Sequence, residues 1–361
     1  MIPKKLIIAG GGTGGHIFPG LAVADAWKNL GGHVVWVGSN LGKEKIYVPD
    51  AGYEIHIIAV SPMKGKGLLQ KFKTLIQIPI AVYKGMRLLS VLKPDVVLGV
   101  GGYASFPMTI AAYLKRIPTA IAEQNSFAGL TNRILSRFAK KIFLSFEDDY
   151  QQFPSHKTTV VGNAIRSSIQ PQPYSAQMQP FCILVTGGSL GAVALNDVFC
   201  QALDLLKDQW HKLSIVHQTG DVDFVKQQEF YAARPSLKAE CHNFIRAMQT
   251  EYQKAHVIIC RAGASTATEI ALSGKPALFV PYPYAADDHQ TKNAHYYVRR
   301  NAAWMVAQDQ LQPADLAKRI ENWMNHPEEL KNMAKAMGET AKANANITIA
   351  KTLFTMSVNH V

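Results

Sequence analysis

The sequence predicts an α/β protein made of two Rossmann-like domains facing a cleft. Short β-branched runs alternate with stretches of helical spacing, the pattern of a parallel sheet whose crossovers are helices. A strand that runs into a glycine turn and then a helix opens the chain at residues 5–24, and the same unit recurs at 181–197. Between the two, residues 169–181 read IQPQPYSAQMQPF, a Pro- and Gln-rich composition that suits a linker. At 361 residues the chain exceeds one ordinary core and suits two domains of about 150 to 200 residues.

The elements follow in order. KLIIA (5–9) is the first strand; the glycine loop comes next, and PGLAVADAWKNL (19–30) has helical spacing. HVVWVG (33–38), KPDVVLGVGG (93–102), PTAIAEQN (118–125) and KKIFLSF (140–146) read as further strands, and VVGNAIR (160–166) leads to the linker. The second half starts with FCILVTGGSLGAVALND (181–197) and continues through LSIVHQTG (213–220), HVIICRAG (256–263) and PALFVPYP (276–283). From about Pro313 onward the chain is charged and Ala-rich, as surface helices are. The expected division is 1–165, 166–340, and a C-terminal helix at 341–361 that returns to the first domain.

Composition narrows the function classes. Apolar content of 48% and charged content of 18% fit a folded protein rather than a disordered one. The formal charge of +12 is unevenly placed: residues 1–165 hold 19 basic and 9 acidic side chains, the remainder 19 and 17. The basic first half suits nucleic acid, an anionic membrane or a phosphorylated substrate. Cys182, Cys200, Cys241 and Cys260 are scattered, with neither CxxC nor zinc spacing, as in a reduced cytoplasmic chain. The apolar run after Lys4 and Lys5 reaches only Ala9, short of the ~7 to 15 residues of a signal peptide. No stretch reaches the ~18 apolar residues of a membrane span, so a membrane partner implies a protein lying on the surface.

Glycine occupies five of the six positions Gly10 to Gly15. Gly10, Gly12 and Gly15 match G-x-G-x-x-G between a strand and a helix, where bare backbone lets amides approach an anion or a sugar. A dinucleotide site needs an acid at the end of the second strand to hold a ribose. That strand ends Val37-Gly38-Ser39-Asn40, without one. A sugar-nucleotide loop and a purely structural turn both remain open, and no P-loop pattern is present. His16 stands at the helix start, where a positive imidazole is disfavoured. A neutral ring there can accept a proton or bond a sugar, or simply hold the loop.

The second half offers two more candidates. Gly187 to Gly191, with Ser189, form an anion cradle or a tight turn. Cys260 to Ala294 is richer. Ala264, Ser265, Thr266, Ala267 and Thr268 open a helix, and Glu269 falls one to two turns into it, where a carboxylate can take two bonds from a ribose diol. Gln290 and Asn293 lie three apart, amides suited to sugar hydroxyls or an ordinary surface pair. Asp221-Val222-Asp223 is a D-x-D without further ligands in view, read as a decoy. Residues 55–94 contain no acid, and Leu68, Phe72, Leu75 and Ile76 sit among Lys64, Lys66, Lys71 and Lys73. That pattern reads as a membrane-surface patch or as a core helix with a basic face. RNA fits less well, since no aromatic stacking set accompanies the charge.

The strings GGTGGHIFPGLAVA, GVGGYASFP, AEQNSFAGLTN, VVGNAIR, GGSLGA and CRAGASTATEIALSGKPALFVPYP together resemble the MurG family of peptidoglycan glycosyltransferases, the undecaprenyldiphospho-muramoylpentapeptide β-N-acetylglucosaminyltransferases. The resemblance runs from the first strand to Ala294 in one register. It implies a glycosyltransferase B fold, the donor UDP-N-acetylglucosamine, the acceptor lipid I, and work at the cytoplasmic face of the inner membrane as a peripheral protein. It implies no cofactor, no built-in metal and no nucleic acid. Carried over by position, donor contacts fall on Thr13, Gly14, Gly15, Asn125, Arg166, Ser189, Ile245 (through its backbone, to the uracil) and Gln290. Glu269 falls on the ribose and Asn293 on a sugar hydroxyl. His16, Gly101, Gly102 and Tyr103 line the acceptor side, with His16 the leading base for the acceptor 4-hydroxyl and Glu123 or a substrate group the alternatives. Leu190 stands where some relatives carry Gln, and Ala122 where they often carry His.

Overall fold

Leu6, Ile7, Ile8 and Ala9 are all fully buried, and they divide by parity. Leu6 and Ile8 pack into one core with Val23, Trp27 and Trp36, while Ile7 and Ala9 join another with Val35, Leu89 and Met108. A strand buried on both faces belongs inside a parallel sheet, which is where this one lies. The computed structural model describes residues 3–60, 68–165, 169–171, 173–175, 179–188 and 190–358, and for 68–76 the backbone alone.

The chain forms two compact units, Met1–Arg166 with Lys342–Val361, and Ser167–Ala341. The first holds strands β1 (Lys5–Ala9), β2 (His33–Ser39), β3 (Glu54–Ile58), β4 (Val96–Gly99), β5 (Thr119–Glu123), β6 (Lys141–Leu144) and β7 (Thr158–Val160). They form one parallel sheet in the order β3-β2-β1-β4-β5-β6-β7. Its helices are α1 (Gly14–Asn29), α2 (Glu44–Asp50), α3 (Leu68–Leu92), α4 (Ser105–Leu114) and α5 (Leu130–Leu135).

The second unit repeats the plan. Strands β8 (Phe181–Thr186), β9 (Leu213–Gln218), β10 (Lys238–His242), β11 (Val257–Cys260), β12 (Ala277–Phe279) and β13 (Ala303–Met305) form a parallel sheet in the order β10-β9-β8-β11-β12-β13. Helices α6 (Val193–Leu205), α7 (Phe224–Ala232), α8 (Met248–Lys254), α9 (Ala264–Leu272), α10 (His289–Val298), α11 (Pro313–Asn325) and α12 (Pro327–Glu339) belong to it. Ile183 and Val185 point into its core with Phe199, Leu316 and Trp323. The last helix, α13 (Ala345–Val358), lies in the first unit, where Ile349, Ala350 and Leu353 are buried and Phe354 meets Trp27 at 5.5 Å between ring centroids.

Both sheets reverse strand order beside their first strand, β1 between β2 and β4, β8 between β9 and β11. In open parallel sheets, ligands bind outside the strand carboxyl ends at that reversal. Each unit therefore carries one natural binding place, and the glycine turns flank it in both.

Candidate functional site

In the first unit, backbone packs directly on backbone. Gly11 N donates to the Gly101 carbonyl at 3.1 Å and Val100 N to Ala9 O at 2.9 Å, which joins the loops after β1 and β4. A Cβ on Gly10 would lie 2.2 Å from Gly101 O, and one on Gly102, at φ 81°, would lie 2.2 Å from Gly11 O. No larger residue fits either place. Much of the glycine run thus has a structural cause, which leaves Thr13, Gly14 and Gly15 as the portion that opens α1. Thr13 and Gly15 are exposed there, and Thr13 makes no side-chain cap. The first amides of a helix have no partner inside it, so this end suits an anion or a polar ligand.

Glu44, a residue the sequence reading passed over, secures the loop. It is fully buried, and its carboxylate accepts from Gly12 N at 2.7 Å, Ser39 N at 2.8 Å and Ser39 Oγ at 2.8 Å. Burial pushes its pKa up, but the bonds from Gly12 and Ser39 outweigh that and hold it below the ordinary 4.5. An acid does stand near the end of β2, and it faces the glycine loop instead of a ribose.

His16, in the first turn of α1, is half-buried, and its Nδ1 lies 3.1 Å from Gln124 Oε1. Tyr103 is 43% exposed, just past Gly101 and Gly102. Glu123 is buried and accepts from Asn125 N at 3.0 Å, Asn125 Nδ2 at 3.2 Å, Gly129 N at 3.2 Å and Asn132 Nδ2 at 2.8 Å. That carboxylate shapes the loop carrying half-buried Asn125 and is a poor candidate for a base.

In the second unit Gln218 plays a similar organising part. Its Nε2 donates to Thr186 Oγ1 at 3.1 Å and Gly188 O at 2.9 Å, while its Oε1 accepts from Ile245 N at 2.8 Å. The glycine turn after β8 and the turn carrying Ile245 are thereby tied together. The Ile245 amide is engaged, so its carbonyl is the backbone group it can offer a base. Leu190 is 73% exposed beside the turn. Arg166 and Ser189 lie outside the described residues, as do the side chains of Leu68, Phe72, Leu75 and Ile76.

At the β11 end, α9 starts from Gly263 without a side-chain cap; Ser265 and Thr266 are half-buried, and Ala264, Ala267 and Thr268 are buried. Half-buried Glu269 accepts from Tyr252 OH at 2.9 Å through Oε2. Asn293 is fully buried and donates to Ala262 O at 3.1 Å, so it braces the turn before α9. Gln290 is half-buried and accepts from Tyr282 N at 2.9 Å, which holds the loop before α10. Asp287 and Asp288 in that loop have left-handed φ of 55° and 52°, a strained approach to the helix. Sequence reasoning also missed Arg261, buried at the end of β11, whose Nη1 donates to Val280 O and Pro281 O, both at 3.0 Å.

The D-x-D is occupied by its own domain. Asp223 accepts from Asn196 Nδ2 at 2.8 Å and Gln227 Nε2 at 2.9 Å, and Asp221 from Asn243 Nδ2 at 3.0 Å. His217, whose Nε2 lies 3.0 Å from Asn196 Oδ1, has its pKa lowered to about 3 by burial and joins this network as a neutral ring.

Comparison with known proteins agrees with this architecture. Residues 6–144 match the glycosyltransferase family 28 N-terminal domain, and residues 182–350 its C-terminal domain. A UDP-N-acetylglucosamine–N-acetylmuramyl-(pentapeptide) pyrophosphoryl-undecaprenol N-acetylglucosamine transferase of Myxococcus xanthus (strain DK1622) is 40% identical over 96% of this chain and 92% of its own. The protein of that name from Syntrophus aciditrophicus (strain SB) is 43% identical over 92% and 93%. Among solved structures, Acinetobacter baumannii MurG superposes with a TM-score of 0.82 at 35% identity, covering 98% of this chain and all of that one. The two parallel-sheet domains are those of the glycosyltransferase B fold. The chain belongs to glycosyltransferase family 28 and, within it, to the MurG family of N-acetylglucosamine transferases.

Proposed function

We propose that this enzyme transfers N-acetylglucosamine from UDP-N-acetylglucosamine to the 4-hydroxyl of the muramyl sugar of lipid I, undecaprenyl-diphospho-N-acetylmuramyl-pentapeptide. The products are lipid II and UDP, and the donor's α-anomer inverts to a β-1,4 link, a step of peptidoglycan synthesis. The observation that carries the reading is identity of 40% across 96% of the chain to a transferase named for these substrates.

The site geometry supports a division of labour. In the second unit the helix start from Ala264 through Ser265, Thr266, Ala267 and Thr268 takes the diphosphate charge, and Ser189 joins it by resemblance. Ile245 offers its carbonyl to the uracil, Glu269 accepts from the ribose, and Gln290 meets the sugar over the turn that Asn293 braces. In the first unit Thr13, Gly14, Gly15 and Asn125 serve the donor, Arg166 follows by resemblance, and Gly101, Gly102 and Tyr103 line the acceptor side. His16 takes the proton of the 4-hydroxyl as its oxygen attacks the anomeric carbon. The anomeric bond to UDP breaks on the opposite face, and the charge developing on the leaving diphosphate falls to the amino end of α9.

The protein works as a peripheral protein at the cytoplasmic face of the inner membrane, on its anionic lipids. Among the described residues no helix is long and apolar enough to cross a membrane. The basic charge of residues 1–165 and the acid-free segment 55–94 favour an anionic surface.

A UDP-release assay with a soluble lipid I analogue tests the reading. Release should require that analogue and should not occur with diacylglycerol, and His16→Ala should lower kcat by about a hundredfold with donor affinity kept. Release on diacylglycerol would reassign the acceptor, and donor binding without any release would turn the protein into a binding scaffold.

A further inference from the structure

Three strand ends meet where the first sheet reverses, and one side chain joins them. Gln124 follows β5, is 2% exposed, and donates from Nε2 to the Val100 carbonyl at 3.1 Å. Val100 follows β4 and is itself anchored through its amide to Ala9 of β1 at 2.9 Å. A carbonyl oxygen only accepts, so the amide orientation is fixed: Nε2 faces Val100, and Oε1 is left for His16 Nδ1 at 3.1 Å. An amide oxygen also only accepts. In a neutral ring Nδ1 must therefore carry the hydrogen, and Nε2 keeps its lone pair.

We propose that Gln124 is a positioning residue for the transfer: it locks His16 in the Nδ1–H tautomer and so presents Nε2 as the proton acceptor. The inference rests on the reading of His16 as the base. Its ring is confined from another side as well. A Cβ on Gly101 would fall 2.7 Å from the imidazole Nδ1 and Cε1. Glycine at 101 thus leaves room for the ring edge that Gln124 holds. The amide oxygen fixes the tautomer as a carboxylate would, without placing a further charge beside the ring.

The test uses full-length protein labelled with 15N-histidine, with the His16 ring signals assigned by their loss in His16→Ala. Long-range 1H–15N correlations should show the Nδ1–H tautomer in the wild type. Gln124→Met keeps the length of the side chain and removes the acceptor. It should shift the ring toward Nε2–H and lower kcat by about tenfold or more, with the KM for UDP-N-acetylglucosamine within about twofold. A wild-type ring in the Nε2–H form, or an unchanged tautomer in Gln124→Met, would overturn the assignment. If Gln124→Met fails to fold in a thermal melt, the wild-type spectrum decides alone. Full activity of His16→Ala would remove the histidine from the chemistry whatever the spectrum shows. An inactive His16→Ala with an Nε2–H wild-type ring would remove Gln124 only.

Discussion

Glu44 shows how a single side chain can decide what a loop is for. Its carboxylate answers three donors from the glycine loop and the end of β2. Gln in its place must turn an NH2 toward a backbone N–H, so Glu44→Gln should cost about 2 kcal/mol at pH 7. The sign with pH follows from the depressed pKa. The contribution is fully present above the unfolded value of 4.5 and is lost as pH falls through the lower folded value. Urea melts of wild type and variant should therefore differ at pH 7, and the gap should narrow as pH falls below 4.5; a constant gap would contradict this. Glu44 was hidden in the sequence because it sits five residues on from Ser39, past the strand end where a ribose-binding acid stands, and points inward. Asn293 was legible from its spacing to Gln290, but its burial and its bond to the Ala262 carbonyl are properties of the fold that spacing does not show.

At the scale of elements, the central strands of both sheets were legible because burial on both faces leaves continuous apolar runs such as KLIIA and FCILV. β3, β7, β10 and β13 were not read. They are outer strands of their sheets, and KAECH of β10 carries polar residues at every other position. The helix starts at Thr13 and Gly263 were readable from glycine followed by small residues, although Gly10 and Gly102 serve loop-on-loop packing. Helix α3 carries the membrane proposal. Its later turns bury Val82 and Leu89 in the core while Ile80, Tyr83 and Val91 are exposed. Replacing both Leu75 and Ile76 with Glu should release the protein from anionic vesicles and leave donor binding intact, measured by vesicle sedimentation. Unchanged sedimentation would end the assignment.

The whole molecule is one plan used twice, a parallel sheet with a reversal beside its first strand and a glycine turn at that reversal. The duplication was visible in the two strand–glycine–helix openings, which is why the fold class followed from sequence. The chemistry did not follow from it. Doubly wound sheets host many reactions, and the choice among them rested on motif strings in register and then on relatives of full length. The charge is also divided, with most of the excess of +12 in residues 1–165. That placement fits a first unit that meets a lipid-linked diphosphate and a second that holds a nucleotide. The most direct test of the central claim is the structure of the product. The enzyme is incubated with UDP-N-acetylglucosamine and a soluble lipid I analogue, and the purified product is examined by mass and by its anomeric proton coupling. The account predicts one added N-acetylhexosamine in a β-1,4 bond, with one UDP formed per product. An α-linked product, or free N-acetylglucosamine released without an acceptor, would contradict it.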